Sequence, residues 1–237
     1  MIQNKKIALQ QVHFSFGLHA TPFFSDLSIE FVPHTINFIC GKNGIGKSTI
    51  LKILSGNVSI IHRAKGFLQI DNNMYDIKNL ADVDSVALVA QNFNTMLVEK
   101  YSFYQNLQFA LLPKYPHAGS LPLPDPLPDF IEKYGIKGNI PITQLSGGQR
   151  QILSILMVLQ KRPKILLLDE PTAALDEENA KIVMTFLHDL CRQEDVTVIA
   201  IVHQLDLVES FAEEHYFELY QQNGTRQVRS VFINRSI

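Results

Sequence analysis

Apolar and polar residues alternate through positions 7–12 and again through 27–32. This is the period of strands buried on one face, and two such runs near the start predict an antiparallel layer. Positions 35–40 are mostly apolar, as in a buried strand, and run at once into a glycine-rich turn and then Ser48-Thr-Ile-Leu-Lys-Ile-Leu54, which reads as a helix. Apolar runs at 86–90, 164–168 and 196–202 predict further buried strands. The segment 177–192 between the last two places Ile182, Val183, Phe186, Leu187 and Leu190 on one helical face. Asp176 suits its N-cap, and Glu177 and Glu178 suit its first turn. A helix between two buried strands predicts a crossover, hence parallel pairing.

The sheet pattern lapses between 91 and 163. Positions 101–112 and 150–160 read as helices, while 113–128 carries six prolines, which forbid regular structure there. The organisation expected is one compact unit over 1–237: an α/β core from 1–91 and 161–237, mainly parallel with an N-terminal antiparallel layer, and an inserted helical subdomain over 92–160. Strand-like pieces around 216–219 and 228–233 close the chain, leaving no room for a separate regulatory domain.

Composition narrows the function. Lys plus Arg number 21 against 23 Asp plus Glu, so no basic field advertises nucleic acid, and any phosphate binding must be local. The longest apolar runs, 152–159 and 196–202, fall short of the roughly 18 residues that cross a bilayer. The first residues lack the apolar core and cleavage site of a signal peptide, so a cytoplasmic location is expected. Cys40 and Cys191 lie far apart beside apolar stretches, as reduced, buried thiols rather than a disulfide framework.

Three segments carry chemistry. In Gly41-Lys42-Asn43-Gly44-Ile45-Gly46-Lys47-Ser48-Thr49, glycines stand where a backbone must approach phosphate, and the strand before and helix after supply the required context. Lys47 adds a point charge, and Ser48 offers a hydroxyl to Mg²⁺. Ile165-Leu-Leu-Leu-Asp169-Glu170 places two carboxylates at the end of an apolar strand, where unpaired charge is costly unless it meets metal or water. Asp169 suits Mg²⁺ coordination, and Glu170 suits orienting and deprotonating a water aimed at a terminal phosphate. Leu145-Ser146-Gly147-Gly148-Gln149, just ahead of the helix expected at 150–160, is a second glycine-rich helix start, which by mechanism alone reads either as an ordinary helix start or as a second anion site.

The order of these three segments resembles the ATP-binding cassette family over nearly the whole chain. The other family marks fall in place: Gln91 after the strand at 86–90, Ala174-Leu-Asp176 after the second carboxylate, His203 ending the strand at 196–202, and the aromatic Phe16 ahead of the phosphate loop. The resemblance implies a P-loop NTPase fold that binds ATP and Mg²⁺ and hydrolyses ATP. It gives Gln91 the completion of the Mg²⁺ shell and His203 a contact to the γ-phosphate. Phe16 takes the adenine, and Asp176 a dimer seam. Ser146 and Gly148 bind the γ-phosphate held by an opposing subunit, so a second cassette, identical or paralogous, is required. A lone cassette of this kind implies the motor of a membrane transporter, peripheral on the cytoplasmic face, docked to integral-membrane permease subunits around Gln91 and the segment 92–104, where Phe93, Met96, Leu97, Tyr101 and Phe103 are apolar groups suited either to that contact or to the core of the subdomain. It touches neither nucleic acid nor cargo. A non-transport cytosolic cassette, similar to the ATPases of iron–sulphur assembly, is the alternative.

Overall fold

The computed structural model describes residues 5–17, 21–89, 92–112, 123–124, 127, 129–222 and 224–233. Most of the proline-rich stretch therefore lies outside the described residues, and so does Gln91. Among the described residues, ten strands form two sheets. The first, antiparallel, has the order β2-β1-β4-β5, with β1 at Ile7–Phe14, β2 at Phe24–Phe31, β4 at Ala64–Ile70 and β5 at Asn73–Asp76. The second has the order β10-β9-β3-β8-β7-β6, with β3 at Ile36–Cys40, β6 at Val86–Val89, β7 at Ile165–Asp169, β8 at Thr197–Ile201, β9 at His215–Gln222 and β10 at Thr225–Phe232. All its pairings are parallel except β10 on β9. Five α-helices accompany them among the described residues: α1 at Lys47–Leu54, α2 at Phe103–Ala110, α3 at Gly147–Leu159, α4 at Glu177–Gln193 and α5 at Leu205–Phe211.

The central strands β3, β8 and β7 of the second sheet are buried on both faces, which is why they read as nearly unbroken apolar runs. Phe38, Leu166, Leu168, Val198 and Ala200 point into a core shared with α2, α3 and α4. Ile39, Ile165, Leu167, Ile199 and Ile201 point into the other core, shared with α1 and the antiparallel sheet. The period of two thus survives, but as a choice between two interiors rather than between interior and water. Asn37, 3% exposed on this sheet, is satisfied: its Oδ1 accepts from the Val32 N–H at 2.8 Å and its amide donates to the Val32 carbonyl at 2.9 Å.

Five expectations need correction. The strand at 86–90 is not wholly buried: β6 is the sheet's edge, and Leu88 is 38% exposed on it. The helix expected from 150 begins at Gly147, because Ser146 caps it. The helix expected at 101–112 is α2, trimmed at the front by the Ser102–Gln105 capping box. Phe93 and Phe103 are core residues, 6% and 0% exposed, not surface groups for a partner. In β1 the alternation begins only past Gln11, whose φ of 52° marks a bulge; before it Ile7, Ala8 and Leu9 are all buried.

Candidate nucleotide site

The sheet lays its chemistry along one edge. Ile39 on β3 and Asp169 on β7 are both in register with Ile201 on β8. The residues that follow, Gly41, Glu170 and His203, therefore emerge together at the carboxyl ends of three parallel strands, where open α/β sheets bind ligands.

Gly41 begins the turn at φ 139°, and a Cβ there would collide with the Leu219 carbonyl of β9. Gly46 caps α1 at φ 117°, and a Cβ there would lie 2.6 Å from the Phe23 ring. Both are positions only glycine fills. No side chain caps α1, so its first amides face the loop. Lys47 is 6% exposed and donates through Nζ to the Gly41 carbonyl at 2.8 Å and the Lys42 carbonyl at 3.1 Å. Burial holds its ammonium below the usual lysine range, a cost that an anion in the loop would offset. Ile45 anchors the turn in the second core, its N–H donating to the Lys42 carbonyl at 3.3 Å.

Ser48 Oγ donates to Asp169 Oδ1 at 3.3 Å. Burial raises the Asp169 carboxyl above its ordinary range, and the Ser48 hydroxyl pulls it partly back. The two hard oxygens fit a small divalent cation, and Mg²⁺ in particular, which keeps its other positions for water and phosphate. Glu170 adopts φ 54°, rare for a side chain of its size, and its N–H donates to the Ile201 carbonyl at 3.1 Å. That left-handed step turns its carboxylate to His203, with Oε1 and Nε2 2.7 Å apart.

Phe16, Phe23, Asn43, Gly44, Gly46, Lys47, Ser48, Thr49 and Glu170 line one open cleft of about 470 Å³. Phe16 is 52% exposed and meets the Phe14 and Phe23 rings edge-on at 4.8 and 4.7 Å; Arg63 donates to its carbonyl. Phe14, two residues back, is 2% exposed and belongs to the core. Phe23 escapes sequence reading, although the Phe23-Phe24 pair at the start of β2 signals one ring inward and one out; the Arg226 guanidinium lies over the Phe23 ring, 3.7 Å from its centroid.

Ser146, Gly147, Gly148 and Gln149 lie elsewhere: among the described residues, none of them lines the cleft. Ser146 Oγ accepts from the Gln149 N–H at 3.2 Å, the Ser146 N–H donates to Gln149 Oε1 at 3.0 Å, and Gln149 Nε2 donates to the Tyr134 carbonyl at 3.0 Å. Asp176 caps α4, accepting from the Asn179 N–H at 2.8 Å. That bond, and then the Asn179 side-chain amide, hold the Asp176 carboxyl below the usual carboxylate range.

A glycine loop wrapped on a helix start, a hydroxyl and carboxylate paired beside it, and a second carboxylate at hydrogen-bond distance from a histidine define a P-loop nucleotide hydrolase. The sequence model of the ABC transporter family matches residues 24–173, and the chain belongs to that family. It is an ATP-hydrolysing subunit of an ABC transporter. A phosphonates import ATP-binding protein of Thiobacillus denitrificans is 33% identical over 184 residues, covering 74% of this chain and 69% of that one. Its counterpart in Nocardia farcinica is 30% identical over 227 residues, covering 89% and 80%. Among solved structures, cbiO1 from Clostridium perfringens, part of the transporter complex cbiONQ, shares the fold with a TM-score of 0.72 at 24% identity, covering 95% of this chain and 88% of that one. The relatives' names put transport ahead of the non-transport alternative.

Proposed function

We propose that this chain hydrolyses Mg-ATP between two cassettes paired head to tail, and that the opening and closing of the pair drives a permease. The observation that carries the reading is the separation of the two anion-binding elements: the phosphate loop lines the cleft, and residues 146–149 do not. Donors at Ser146 and Gly148 then serve a γ-phosphate held by another copy, or by a paralogous cassette.

Within that reading Phe16 stacks on adenine, with Phe23 as its buttress. The amides of residues 41–49 and Lys47 take the phosphates. Ser48 and Asp169 hold Mg²⁺, which neutralises charge on the phosphate oxygens when bound; Gln91 is assigned to the same shell on the family resemblance. Glu170 accepts a proton from the attacking water, and His203, bonded to Glu170, fixes the direction of that carboxylate. Asp176 lies at the seam between copies. The described residues of the segment 92–160 form the mainly helical part that carries 146–149.

The permease site is a groove of about 590 Å³ lined in part by Val86, Leu88, Met96, Phe109, Met157 and Val158. Tyr101 and Phe109, 41% and 44% exposed, meet edge-on at its rim. An apolar helix from a membrane subunit fits such a groove. No described helix of this chain is long and apolar enough to cross a membrane, so membrane attachment on the cytoplasmic side comes through that subunit.

The test is Glu170→Gln, which keeps the shape of the side chain and removes the base. With Mg-ATP it is expected to bind nucleotide, hydrolyse at least about 100-fold more slowly and accumulate as a dimer in sedimentation. A variant that stays monomeric at saturating Mg-ATP, with the wild-type chain equally monomeric beside its permease, sinks the paired-site reading.

A further inference from the structure

The two donors assigned above to the opposing γ-phosphate are already engaged within the chain. Ser146 Oγ donates to Asn179 Oδ1 at 2.9 Å, and the Gly148 N–H donates to the same oxygen at 3.1 Å. The amide is held the right way round from behind, because Asn179 Nδ2 donates to Asp176 Oδ1 and Oδ2 at 3.0 and 2.9 Å. The approach is close: a Cβ on Gly148 would lie 2.8 Å from Asn179 Oδ1 and 3.2 Å from the Asn179 carbonyl. Gly148 is thus required by its own chain as well as by phosphate.

We propose that Asn179 is a positioning residue acting through Ser146 and Gly148: its side-chain oxygen stands in for a γ-phosphate oxygen and yields the two donors only when a γ-phosphate arrives from the opposing cassette. The proposal rests on the head-to-tail reading. A neutral amide oxygen suits the role. It accepts strongly enough to keep both donors aimed at one point, yet bonds from the same donors to an anionic phosphate are about twice as strong, so the exchange runs toward phosphate. A nucleotide lacking the γ-phosphate has nothing to offer in exchange, so ADP leaves the contact closed. Because Asp176 grips the other end of the amide, the exchange is also felt at the turn that begins α4.

The test uses the ATP concentration at half-maximal dimerisation in the Glu170→Gln background. Where isolated copies do not pair, the ATP concentration at half-maximal hydrolysis by the assembly purified with its permease is read instead, with Glu170 intact. Asn179→Ala removes the competitor, so that concentration is expected to fall, by about five- to ten-fold for two modest neutral bonds. Asn179→Asp keeps an acceptor but makes it anionic, so it holds the donors harder, repels phosphate, and raises the concentration by at least as much. A structural role alone would move both variants in the same direction, and weaker pairing by Asn179→Ala overturns the proposal. Ser146→Asp separates this from failure of the underlying reading: aspartate still caps α3 but sets a charge against the phosphate. Pairing unaffected by Ser146→Asp removes the trans site itself, whereas pairing abolished by it, with both Asn179 variants weakened, removes only the competitor role.

Discussion

Asp169 is the residue at which fold and function pull apart. Burial lifts its carboxyl above the ordinary value of 3.8, so between that value and its folded one the native chain binds more protons than the unfolded chain. Stability contributed by this group therefore falls as pH rises through the window, and at neutral pH the ionised form is a burden that a bound cation relieves. Asp169→Asn is accordingly expected to raise the melting temperature of the nucleotide-free protein by a few degrees at about pH 7. The gain should shrink toward about pH 4, while Mg-dependent nucleotide binding is lost. Calorimetry over that pH range checks it, and a lowered melting temperature at neutral pH would contradict the sign worked out here. Glu170 could be named from the motif, but its left-handed backbone could not, because nothing in the residue type announces a φ of 54°. The same holds for Asn179, whose only trace in sequence is its place three residues after a capping aspartate, a spacing that ordinarily signals local capping and no more.

At the scale of elements, the end of β1 makes two neighbouring phenylalanines into different devices. Phe14 points into the core and Phe16, just past the strand, lies over the cleft. Phe14→Ala is expected to cost about 3–5 kcal/mol of stability with nucleotide affinity little changed in the folded fraction. Phe16→Ala should leave stability within about 0.5 kcal/mol and raise the ATP concentration for half-maximal activity several-fold, as the loss of about 1 kcal/mol of stacking requires. Denaturant unfolding and steady-state kinetics separate the two; equal losses of stability would refute the division. The apolar runs of β3, β7 and β8 and the helices α1 and α4 were legible because each agrees with its local pattern and with the whole. The residues of β4 and β5 gave no such signal: Phe67 and Met74 are exposed at 41% and 52%, and Gly66 sits at φ 125°, so polar and apolar positions do not sort by face. For α5 the run is only Leu205–Phe211, two turns in length, with Leu205 itself 49% exposed.

At the scale of the whole molecule, the described residues carry an apolar groove, lined in part by Val86, Leu88, Met96 and Phe109. Leu88 stands on an edge strand of a sheet whose central strands β3, β8 and β7 are covered on both sides, and the groove beside it is bounded by α2 and α3. Leu88→Glu should leave the fold, ATP binding and pairing of isolated chains as they are, because the side chain already meets water. It should abolish recovery of a multi-span membrane protein with the tagged chain from gently solubilised membranes. Undiminished recovery would move the permease contact elsewhere. The motifs indicated that a partner is needed; which aromatics are free to meet one depended on tertiary packing, which took Phe93 and Phe103 into the core and left Tyr101 and Phe109 exposed.

β8 lies between β3 and β7, with one strand on either side of it. Two steps of about 4.8 Å separate the strand that ends in the phosphate loop from the strand that ends in the carboxylates, a gap of roughly 9.5 Å set entirely by backbone hydrogen bonds. The sheet is thus a ruler. Its divisions cannot stretch without breaking ladders buried on both faces, so whatever fills the gap must match it in length; in the proposed reading that is a terminal phosphoryl group, one water, and a side chain with the reach of glutamate. An aspartate at 170 would fall short by about one carbon–carbon bond, roughly 1.5 Å, and no movement of the strands could make up the difference.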